Sequence, residues 1–474
     1  MPQLIKADIC VIGGGSGGLS VAAGAAQMGA RTVLIEKAKM GGDCLNYGCV
    51  PSKALLAAAK QAKTMASGSK FGIKDAEATV DFAKVHDHVH GVIGAIAPND
   101  SVERFTGLGV KVIEEAARFA GPGKVEAGDY LVTARRFVIA TGSSPAVPPI
   151  PGLDQVPFLT NETIFDNKQL PRHLVVIGGG PIGMELAQAH RRLGAEVTVL
   201  EKFSFFAKDD PELAQTVVES MRREGTRLMD GADISSVEQQ GADVLVTIEH
   251  DGKKETIVGS HLLIATGRKP NVDGLGLEAA SIRHSRSGIA VDSRLRTSNK
   301  KVFAIGDVAG GMQFTHVAAF HAGVVIKNAL FRLPAKTTGA VIPWVTYTDP
   351  ELSHVGMTED MARKAHGDIR VLRWPFAEND RAQTEREAEG MVKIMTTRRG
   401  HILGASIVGK NAGELILPWV LAISQKLKIG AMASMIAPYP TQGEAAKRAA
   451  GSYYTPSLFS PKTRRLVRFL ARFG

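Results

Sequence analysis

The chain has 474 residues, enough for about three domains of ordinary size. Its 44% apolar and 22% charged residues are typical of a soluble globular protein, and three cysteines are too few for a secreted disulfide framework. We therefore expect a soluble protein of the reducing cytoplasm. The net charge of +10 could attract anionic partners, but no nucleic-acid-binding signature accompanies it, so nucleic acid is not an expected partner.

The first predicted element is an apolar strand that leads into a glycine-rich turn. The strand is followed by Gly13, Gly15 and Gly18, a helix of small residues, and a second strand that ends at Glu36. In such a unit the glycines let a pyrophosphate approach the N-terminus of the helix, and the acidic residue binds a ribose hydroxyl. Residues 9–30 carry no charge, yet this pattern predicts a dinucleotide-binding fold rather than a membrane span.

The next segment, GGDCLNYGCVPSKAL from Gly41 to Leu55, contains two of the three cysteines. Cys44 and Cys49 could form a metal clip, a structural disulfide or a redox couple. A zinc site needs about four nitrogen or sulfur ligands, and the chain has no second cysteine pair. A structural disulfide would be unusual in a cytoplasmic protein, whereas a cysteine at the start of a helix is readily held as the reactive thiolate. A redox couple is therefore favoured, with Cys10 buried and inert in the first strand.

Three histidines follow in the segment HDHVH, at positions 86, 88 and 90. His86 and His90 would share one face of a helix, but two histidines alone make a weak metal site. The surrounding pattern predicts an exposed helix with one apolar stripe. No bound metal is expected here.

A second glycine-rich unit repeats the order of the first. It contains Gly178, Gly180 and Gly183 after an apolar strand, and its second strand ends at Glu201. The repeat predicts a second bound dinucleotide. Glu201 would accept a hydrogen bond from a free ribose 2′-hydroxyl and repel a 2′-phosphate, so NADH is favoured over NADPH. Lys202 could soften that repulsion.

The predicted domain boundaries follow changes in composition. A proline-rich stretch ends the first unit near residue 150, and VFAIGDVAGG then predicts a strand that returns to that unit. The first domain therefore comprises residues 1–150 and 275–343, and the second nucleotide-binding domain comprises residues 151–274. A third domain of alternating strands spans residues 344–460.

The remaining segment, PKTRRLVRFLARFG at positions 461–474, combines basic residues with apolar residues at helical spacing. Such a short basic amphipathic helix could contact a membrane surface or a protein partner. A solvated helix packed on its own domain is the favoured interpretation, with membrane or partner contact as the alternative.

Together these motifs resemble the flavin-dependent pyridine nucleotide–disulfide oxidoreductases over nearly the whole chain. Further matches are IATGSSP, IATGRKPN, AIGDVA and YPTQGE, and GGDCLNYGCVPSK is similar to the subgroup of dihydrolipoamide dehydrogenases and mercuric reductases. The resemblance implies an α/β fold with two Rossmann-like dinucleotide-binding domains, for FAD and NAD(P), and a C-terminal α+β dimerisation domain. It also implies a homodimer with two shared active sites.

The resemblance implies cofactor contacts for individual residues. FAD would lie in the first unit, with Glu36 at the adenosine ribose and Asp307 at the ribityl chain, and the nicotinamide nucleotide would lie in the second. The other cofactor contacts that the resemblance implies are Gly42, Lys53, Ala117, Thr141, Gly142 and Gly267.

The resemblance also implies how the cysteine pair works. Cys49 would lie against the flavin and form a charge-transfer thiolate when reduced, while Cys44 would be the outer thiol that meets the substrate. Lys53 and Glu185 match a buried pair near flavin N5, where either charge alone would be unfavourable.

The segment YPTQGE departs from most disulfide-reducing members of the family. They place a histidine base before Pro-Thr, contributed by the partner subunit, whereas this chain has Tyr439, with Glu444 retained. A phenol with a pKa of about 10 is a poor base at neutral pH, but it could line a metal-thiolate site. Tyrosine at this position is similar to mercuric reductase, although that enzyme also carries a second cysteine pair, and this chain has no cysteine after Cys49.

The sequence therefore predicts an FAD enzyme that moves electrons from NADH or NADPH to the Cys44–Cys49 disulfide. The acceptor would be a small disulfide, a thiol-bound metal ion or another electrophile. A dihydrolipoamide dehydrogenase, a membrane-surface electron-transfer flavoprotein and an oxygen-reducing flavin oxidase are the alternatives.

Overall fold

The computed structural model describes residues 2–473, which divide into two compact units. The first unit comprises the described residues of Met1–Ala66, Glu77–Lys202 and Ala232–Gly339. The second unit comprises the described residues of Ser67–Ala76, Phe203–Gly231 and Ala340–Gly474.

A seven-stranded sheet in the first unit carries the first glycine motif. Its strands are β1 (Gln3–Ile12), β2 (Thr32–Ile35), β3 (Val110–Ile113), β4 (Ala117–Gly121), β5 (Lys124–Ala127), β6 (Tyr130–Ile139) and the later strand Val302–Ala304. The strands β3, β2, β1 and β6 are parallel neighbours in that order. The other edge of β6 pairs with antiparallel β5 and with parallel Val302–Ala304, which confirms that the chain returns to this sheet.

Helices cover this sheet and present the cysteine segment. They are α1 (Ser16–Gln27), α2 (Gly42–Asn46), α3 (Cys49–Met65), α4 (Phe82–Ile96) and α5 (Val102–Gly107). Ile9–Ile12 of β1 are buried, as expected of a parallel strand covered on both faces. In α4 only Phe82 and Val89 are buried, so the HDHVH segment lies on a largely exposed helix, as predicted.

The second glycine motif lies in a separate parallel sheet of the first unit. The next elements along the chain are β7 (Ser143–Pro145), β8 (His173–Ile177), α6 (Pro181–Arg192) and β9 (Glu196–Glu201), followed in the second unit by α7 (Pro211–Arg223) and β10 (Arg227–Asp230). The first unit then continues with β11 (Asp233–Gln240), β12 (Asp243–His250), β13 (Lys253–Gly259), β14 (His261–Ile264), β15 (Arg268–Pro270), β16 (His284–Ser285), β17 (Gly288–Ile289), β18 (Val302–Ala304) and α8 (Thr315–Ala329). Strand β8 is parallel to both β9 and β14, and β11, β12 and β13 form an antiparallel sheet. The predicted repeat of strand, turn, helix and strand is therefore present.

The second unit is built around a five-stranded antiparallel sheet. Its remaining elements are β19 (Pro343–Thr346), β20 (Glu351–Gly356), α9 (Glu359–His366), β21 (Ile369–Pro375), α10 (Asp380–Thr384), β22 (Met391–Thr397), β23 (Ile402–Gly409), α11 (Ala412–Leu415), α12 (Leu417–Ser424), α13 (Ile429–Ser434), α14 (Glu444–Ser452), α15 (Thr455–Leu458) and α16 (Pro461–Leu470). The strand order is β19-β20-β23-β22-β21. Trp419 of α12 and Ala445 of α14 are fully buried in one core with Ile394 and Ile407 of the sheet. This arrangement agrees with the predicted α+β domain.

Candidate active site

The first glycine turn is held by close backbone contacts. Gly13 has φ +108°, and a Cβ atom on it would lie 2.4 Å from the carbonyl oxygen of Ala140. A Cβ atom on Gly18 would lie 1.9 Å from the carbonyl oxygen of Gly13. The Gly14 N–H donates to Glu36 Oε2 at 2.5 Å, which places the acid at the end of β2 beside the turn. Only glycine fits the two constrained positions.

The cysteine segment lies directly over this turn. Gly15 and Gly41 form an isolated parallel bridge, and a Cβ atom on Gly42 would lie 2.7 Å from Gly15 Cα. The N-termini of α1 and α2 are therefore adjacent, and their backbone N–H groups favour an anion between them. This glycine-lined cradle fits the pyrophosphate of FAD, with Glu36 in position for a ribose.

The second glycine turn has the same backbone geometry. Gly178 has φ +117° and would place a Cβ atom 2.4 Å from the carbonyl oxygen of Ala265, and Gly183 would place one 2.0 Å from the carbonyl oxygen of Gly178. The Gly179 N–H donates to Glu201 Oε2 at 2.7 Å. Apart from Gly180 itself and its two chain neighbours, no atom of residues 2–473 lies within 4 Å of a Cβ atom built on Gly180, so space for a nucleotide is open there.

Cys44 and Cys49 lie in α2 and at the first position of α3. Their sulfurs are not bonded to each other, so the structure describes the dithiol form. The hydrogen bond between the two sulfurs lowers the pKa of Cys49 to about 6, and the Thr315 hydroxyl and the charge of Lys53 act in the same direction against burial. The same bond raises the pKa of Cys44, and burial raises it further. Cys49 is thus the thiolate of the pair at neutral pH and Cys44 the thiol.

An ion pair joins the cysteine helix to the second glycine helix. Lys53 Nζ of α3 lies 2.8 Å from Glu185 Oε2 of α6. The Glu185 side chain is only 6% exposed, whereas that of Lys53 is 37% exposed. The structure therefore brings the two predicted residues together. Because the Glu185 carboxylate is almost excluded from water, its charge is stabilised mainly by protein groups such as the Lys53 ammonium.

A polar network beside Cys44 contains residues that sequence reasoning missed. Arg268 Nη2 lies 2.9 Å from Asp43 Oδ1, and Arg268 Nε donates to Ser143 Oγ at 2.7 Å. Ser143 Oγ in turn donates to Asp307 Oδ2 at 2.5 Å, and burial raises the pKa of Asp307. Asn161 Nδ2 also donates to Asp43 Oδ1, at 3.1 Å. These contacts tie the cysteine segment to Asp307, the predicted ribityl contact.

Arg268 and Thr315, which the sequence analysis did not identify as site residues, differ in whether a sequence pattern indicates them. Arg268 lies within the quoted IATGRKPN motif, so its position beside a cofactor motif was visible in the sequence. Thr315 lies 3.5 Å from Cys49 Sγ through its Oγ1, yet the two residues are 266 positions apart and no local pattern connects them.

The other predicted cofactor contacts lie at strand ends and turns of the first unit. Thr141 Oγ1 donates to the Asn271 carbonyl at 2.7 Å. Gly142 and Gly267 both have positive φ, and nothing lies within 4 Å of a Cβ atom on either. Ala117 is the first residue of β4 and is half-buried. Open space therefore adjoins Gly142 and Gly267. The position of Ala117 gives no comparable indication of a cofactor contact.

Tyr439 and Glu444 lie in the second unit and have separate partners there. Tyr439 is 69% exposed, and its hydroxyl donates to Asp380 Oδ2 at 2.9 Å. This hydrogen bond, together with the charge of Asp380, raises the pKa of Tyr439. Glu444 Oε1 accepts from Arg448 Nη2 at 2.8 Å. The phenol is therefore even less ionised at neutral pH than an isolated tyrosine, so it is poorly suited to accept a proton.

The histidine segment has partners of its own. His88 Nε2 lies 3.3 Å from the Ala54 carbonyl oxygen, and His90 Nε2 lies 3.0 Å from the Phe165 carbonyl oxygen. Across residues 2–473, no group of three or more His, Cys, Asp or Glu side chains is arranged to hold a metal ion.

Two family models match this chain. Residues 7–322 match the pyridine nucleotide-disulphide oxidoreductase model, and residues 342–450 match the dimerisation domain of the same proteins. The chain belongs to the pyridine nucleotide-disulphide oxidoreductase family. The predicted family and fold class are confirmed.

The relatives include two kinds of enzyme. A mercuric reductase from Bacillus cereus is 36% identical over 445 residues, which cover 93% of this chain and 70% of the relative. A dihydrolipoyl dehydrogenase from Thermus scotoductus is 35% identical over 469 residues, which cover 95% of this chain and 98% of the relative. Among solved structures, a Cu(II) complex of the HOCl-induced flavoprotein disulfide reductase RclA from Escherichia coli superposes with a TM-score of 0.84 at 28% identity, covering 93% of this chain and 99% of that one.

Family membership establishes the general chemistry of this pyridine nucleotide-disulphide oxidoreductase. It is an FAD-dependent disulfide oxidoreductase that uses NAD(P)H as electron donor, as predicted. The match over residues 342–450 supports a homodimer. Within residues 2–473, no helix is both long and apolar enough to cross a membrane.

Proposed function

We propose that this oxidoreductase uses NADH to reduce a metal ion bound by the thiols of Cys44 and Cys49. The observation that carries the proposal is Tyr439, whose hydroxyl donates to Asp380 and whose pKa is raised. An enzyme that oxidises a dithiol needs a group that removes the thiol proton, and this phenol is unsuited to that role. A metal ion needs no such base, because it binds the thiolate directly.

The two thiols have the properties that metal capture requires. Cys49 is ionised near neutral pH and Cys44 is the adjacent thiol, which loses its proton when a metal ion binds. Thiolates select soft ions such as Cu(I) and other thiophilic metals. When bound, FAD supplies the electron transfer between the nicotinamide and these sulfurs. One NADH then yields NAD⁺, one proton and the electrons for one Hg(II) reduced to Hg(0) or two Cu(II) reduced to Cu(I).

The preference for NADH rests on the second glycine turn. Glu201 is held beside the turn by the Gly179 N–H, where a ribose 2′-phosphate would meet its charge. Lys202, which could have softened this repulsion, is 2.8 Å from Asp233 through its Nζ atom. This ion pair directs the lysine charge toward another carboxylate.

The finer assignments belong to the same proposal. FAD contacts residues 1–150 and 275–343, the nicotinamide nucleotide contacts residues 151–274, and residues 344–460 form the dimer. Tyr439 and Glu444 act at the active site of the partner subunit. The low cysteine content and the reactive dithiol support a cytoplasmic location.

Relatives support two acceptor classes. Mercuric reductases support a metal ion, and so does the RclA neighbour, which was solved as a Cu(II) complex. A dihydrolipoyl dehydrogenase that matches over 98% of its length makes dihydrolipoamide the second candidate substrate.

An acceptor screen tests the proposal. Purified holoenzyme is assayed anaerobically with Hg(II), Cu(II), lipoamide and glutathione disulfide, each with NADH and NADPH. We expect NADH oxidation to be fastest with a metal ion and to be lost in both Cys44→Ser and Cys49→Ser. The Tyr439→His variant should gain lipoamide activity. A wild-type rate with lipoamide above that with either metal ion would overturn the proposal. In a separate aerobic assay, NADH consumption without any added acceptor would indicate an oxidase.

A further inference from the structure

The helix α16 (Pro461–Leu470) is ordered by local contacts and buries none of its residues. The Ser460 side chain accepts from the Thr463 N–H at 3.2 Å and so caps the helix. Thr463 Oγ1 donates to the Ser457 carbonyl at 2.7 Å, which ties the helix to α15. The segment is therefore a solvated helix with local contacts, and no residue of Pro461–Leu470 is buried.

The exposed surface of α16 and the residues after it is divided into two faces. At 100° per residue, one face carries the large apolar side chains and the other carries arginines. The apolar residues, all between 53% and 75% exposed, are Leu466, Val467, Phe469, Leu470 and Phe473. The arginines are Arg464, Arg465, Arg468 and Arg472. The rings of Phe469 and Phe473 lie 5.2 Å apart, which keeps the apolar face continuous beyond the last turn.

Another amphipathic helix of the same unit shows how unusual this exposure is. In α7 the apolar residues Leu213, Val217 and Met221 are fully buried. The apolar face of α16 is instead solvent-exposed, and Leu458 and Phe459 extend the exposed surface toward α15. Exposed apolar surface of this extent marks an interaction site.

The charge of the segment identifies the partner that fits it. Positions 461–474 contain five basic residues and no acidic residue. A cationic face beside an apolar face is complementary to an anionic lipid surface, where the apolar side chains enter the interface and the arginines bind headgroups. Two copies of the helix facing each other would instead bring like charges together. The segment also lies beyond the matched dimerisation region, which ends at residue 450.

We propose that α16 docks this oxidoreductase on anionic membranes, with the helix lying in the plane of the interface. At ten residues the helix cannot span a bilayer, so the contact is peripheral. The proposal concerns where the enzyme works and does not depend on which acceptor it reduces.

Vesicle co-sedimentation of the purified holoenzyme tests this proposal. The vesicles are phosphatidylcholine alone or phosphatidylcholine with phosphatidylglycerol at about one third of the lipid. We expect binding only to the anionic vesicles, weakened by added salt. The charge variant R464Q/R465Q/R468Q should bind about 100-fold more weakly, because each basic residue contributes about fivefold. The apolar variant L466S/F469S/L470S should also lose binding.

A matched control distinguishes binding through α16 from non-specific adsorption of exposed apolar side chains to the vesicles. The variant F331S/L333S removes two other exposed apolar side chains, which are 56% and 51% exposed, and should bind vesicles like the wild type. NADH-dependent turnover in solution should be unchanged in all three variants. Equal binding of wild type and the charge variant to anionic vesicles, or no binding by the wild type, would overturn the proposal. So would a chain lacking residues 461–474 that becomes monomeric, because the helix would then cover a second copy.

Discussion

The two glycine turns have similar backbone angles and close contacts but differ in what lies over them. Gly13 and Gly178 have φ of +108° and +117°, and a Cβ atom on each would lie 2.4 Å from the carbonyl oxygen of the residue that follows β6 or β14. Each turn donates one N–H to an acid at the end of the next strand. Over the first turn lie Gly41 and Gly42, whereas nothing lies within 4 Å of a Cβ atom on Gly180.

We expect this difference to separate a retained cofactor at the first turn from an exchangeable one at the second. A nucleotide beneath the cysteine segment is enclosed by a second backbone, so it leaves only when that backbone moves. A nucleotide at the open second turn can enter and leave with each turnover. The same glycine turn can thus bind the pyrophosphate of either nucleotide. Whether the nucleotide is retained or exchanged depends on the segment that covers the turn.

Alanine substitutions in the segment that covers the first turn and in the open second turn should produce the largest difference between the turns. In Gly42→Ala the new Cβ atom meets Gly15 at 2.7 Å, and the residue has φ +59°, so we expect the protein to purify with little FAD and negligible turnover. Gly180→Ala meets no protein atom and should retain FAD while the KM for NADH rises about tenfold or more. FAD absorbance per chain and NADH kinetics measure the two effects. Retention of FAD by Gly42→Ala would contradict the inference that the close contact between Gly42 and Gly15 is needed to hold FAD.

The ion pair between the two helices should respond unequally to removal of its two partners. Lys53→Met removes the cation 2.8 Å from the buried Glu185 carboxylate, and we expect a loss of roughly 3 kcal/mol in the free energy of unfolding. Glu185→Gln leaves a lysine that reaches solvent, so the loss should be about 1 kcal/mol or less. Urea unfolding followed by circular dichroism measures both. Equal losses would mean that burial does not distinguish the partners.

The cysteine pair should show a titration that the second nucleotide unit lacks. Because the pKa of Cys49 is lowered to about 6, its thiolate persists above that pH and is lost as the pH falls through it. The long-wavelength absorbance of the NADH-reduced enzyme should therefore disappear with a midpoint near pH 6. Thr315→Val removes a hydrogen bond that lowers this pKa, so the midpoint should rise by up to about one unit. Asp43→Asn removes a negative charge and should shift the midpoint downward, and shifts of the same sign in both variants would contradict this account.

Sequence reasoning located both turns because strand, glycines, helix and acid follow one another within about thirty residues. It could not show that Gly42 closes over Gly15, because that contact depends on how the cysteine segment folds back on the first turn. The partners of Asp43 and Thr315 were missed for the same reason, since Arg268 and Cys49 are distant in the chain. The exposure of α16 was also invisible, because an amphipathic pattern does not say what covers its apolar face.

The acids at the ends of the two turns should differ in a smaller but measurable way. Glu201→Gln keeps an oxygen for the Gly179 N–H and removes the charge that opposes a 2′-phosphate. The ratio of kcat/KM for NADH over that for NADPH should therefore fall about fivefold, the equivalent of roughly 1 kcal/mol. Glu36→Gln is the matched control, because it makes the same change at the first turn and should leave this ratio unaltered. An unchanged ratio in Glu201→Gln would assign nicotinamide selection to other residues, and an equal change in both variants would show that the open turn does not select the donor by charge.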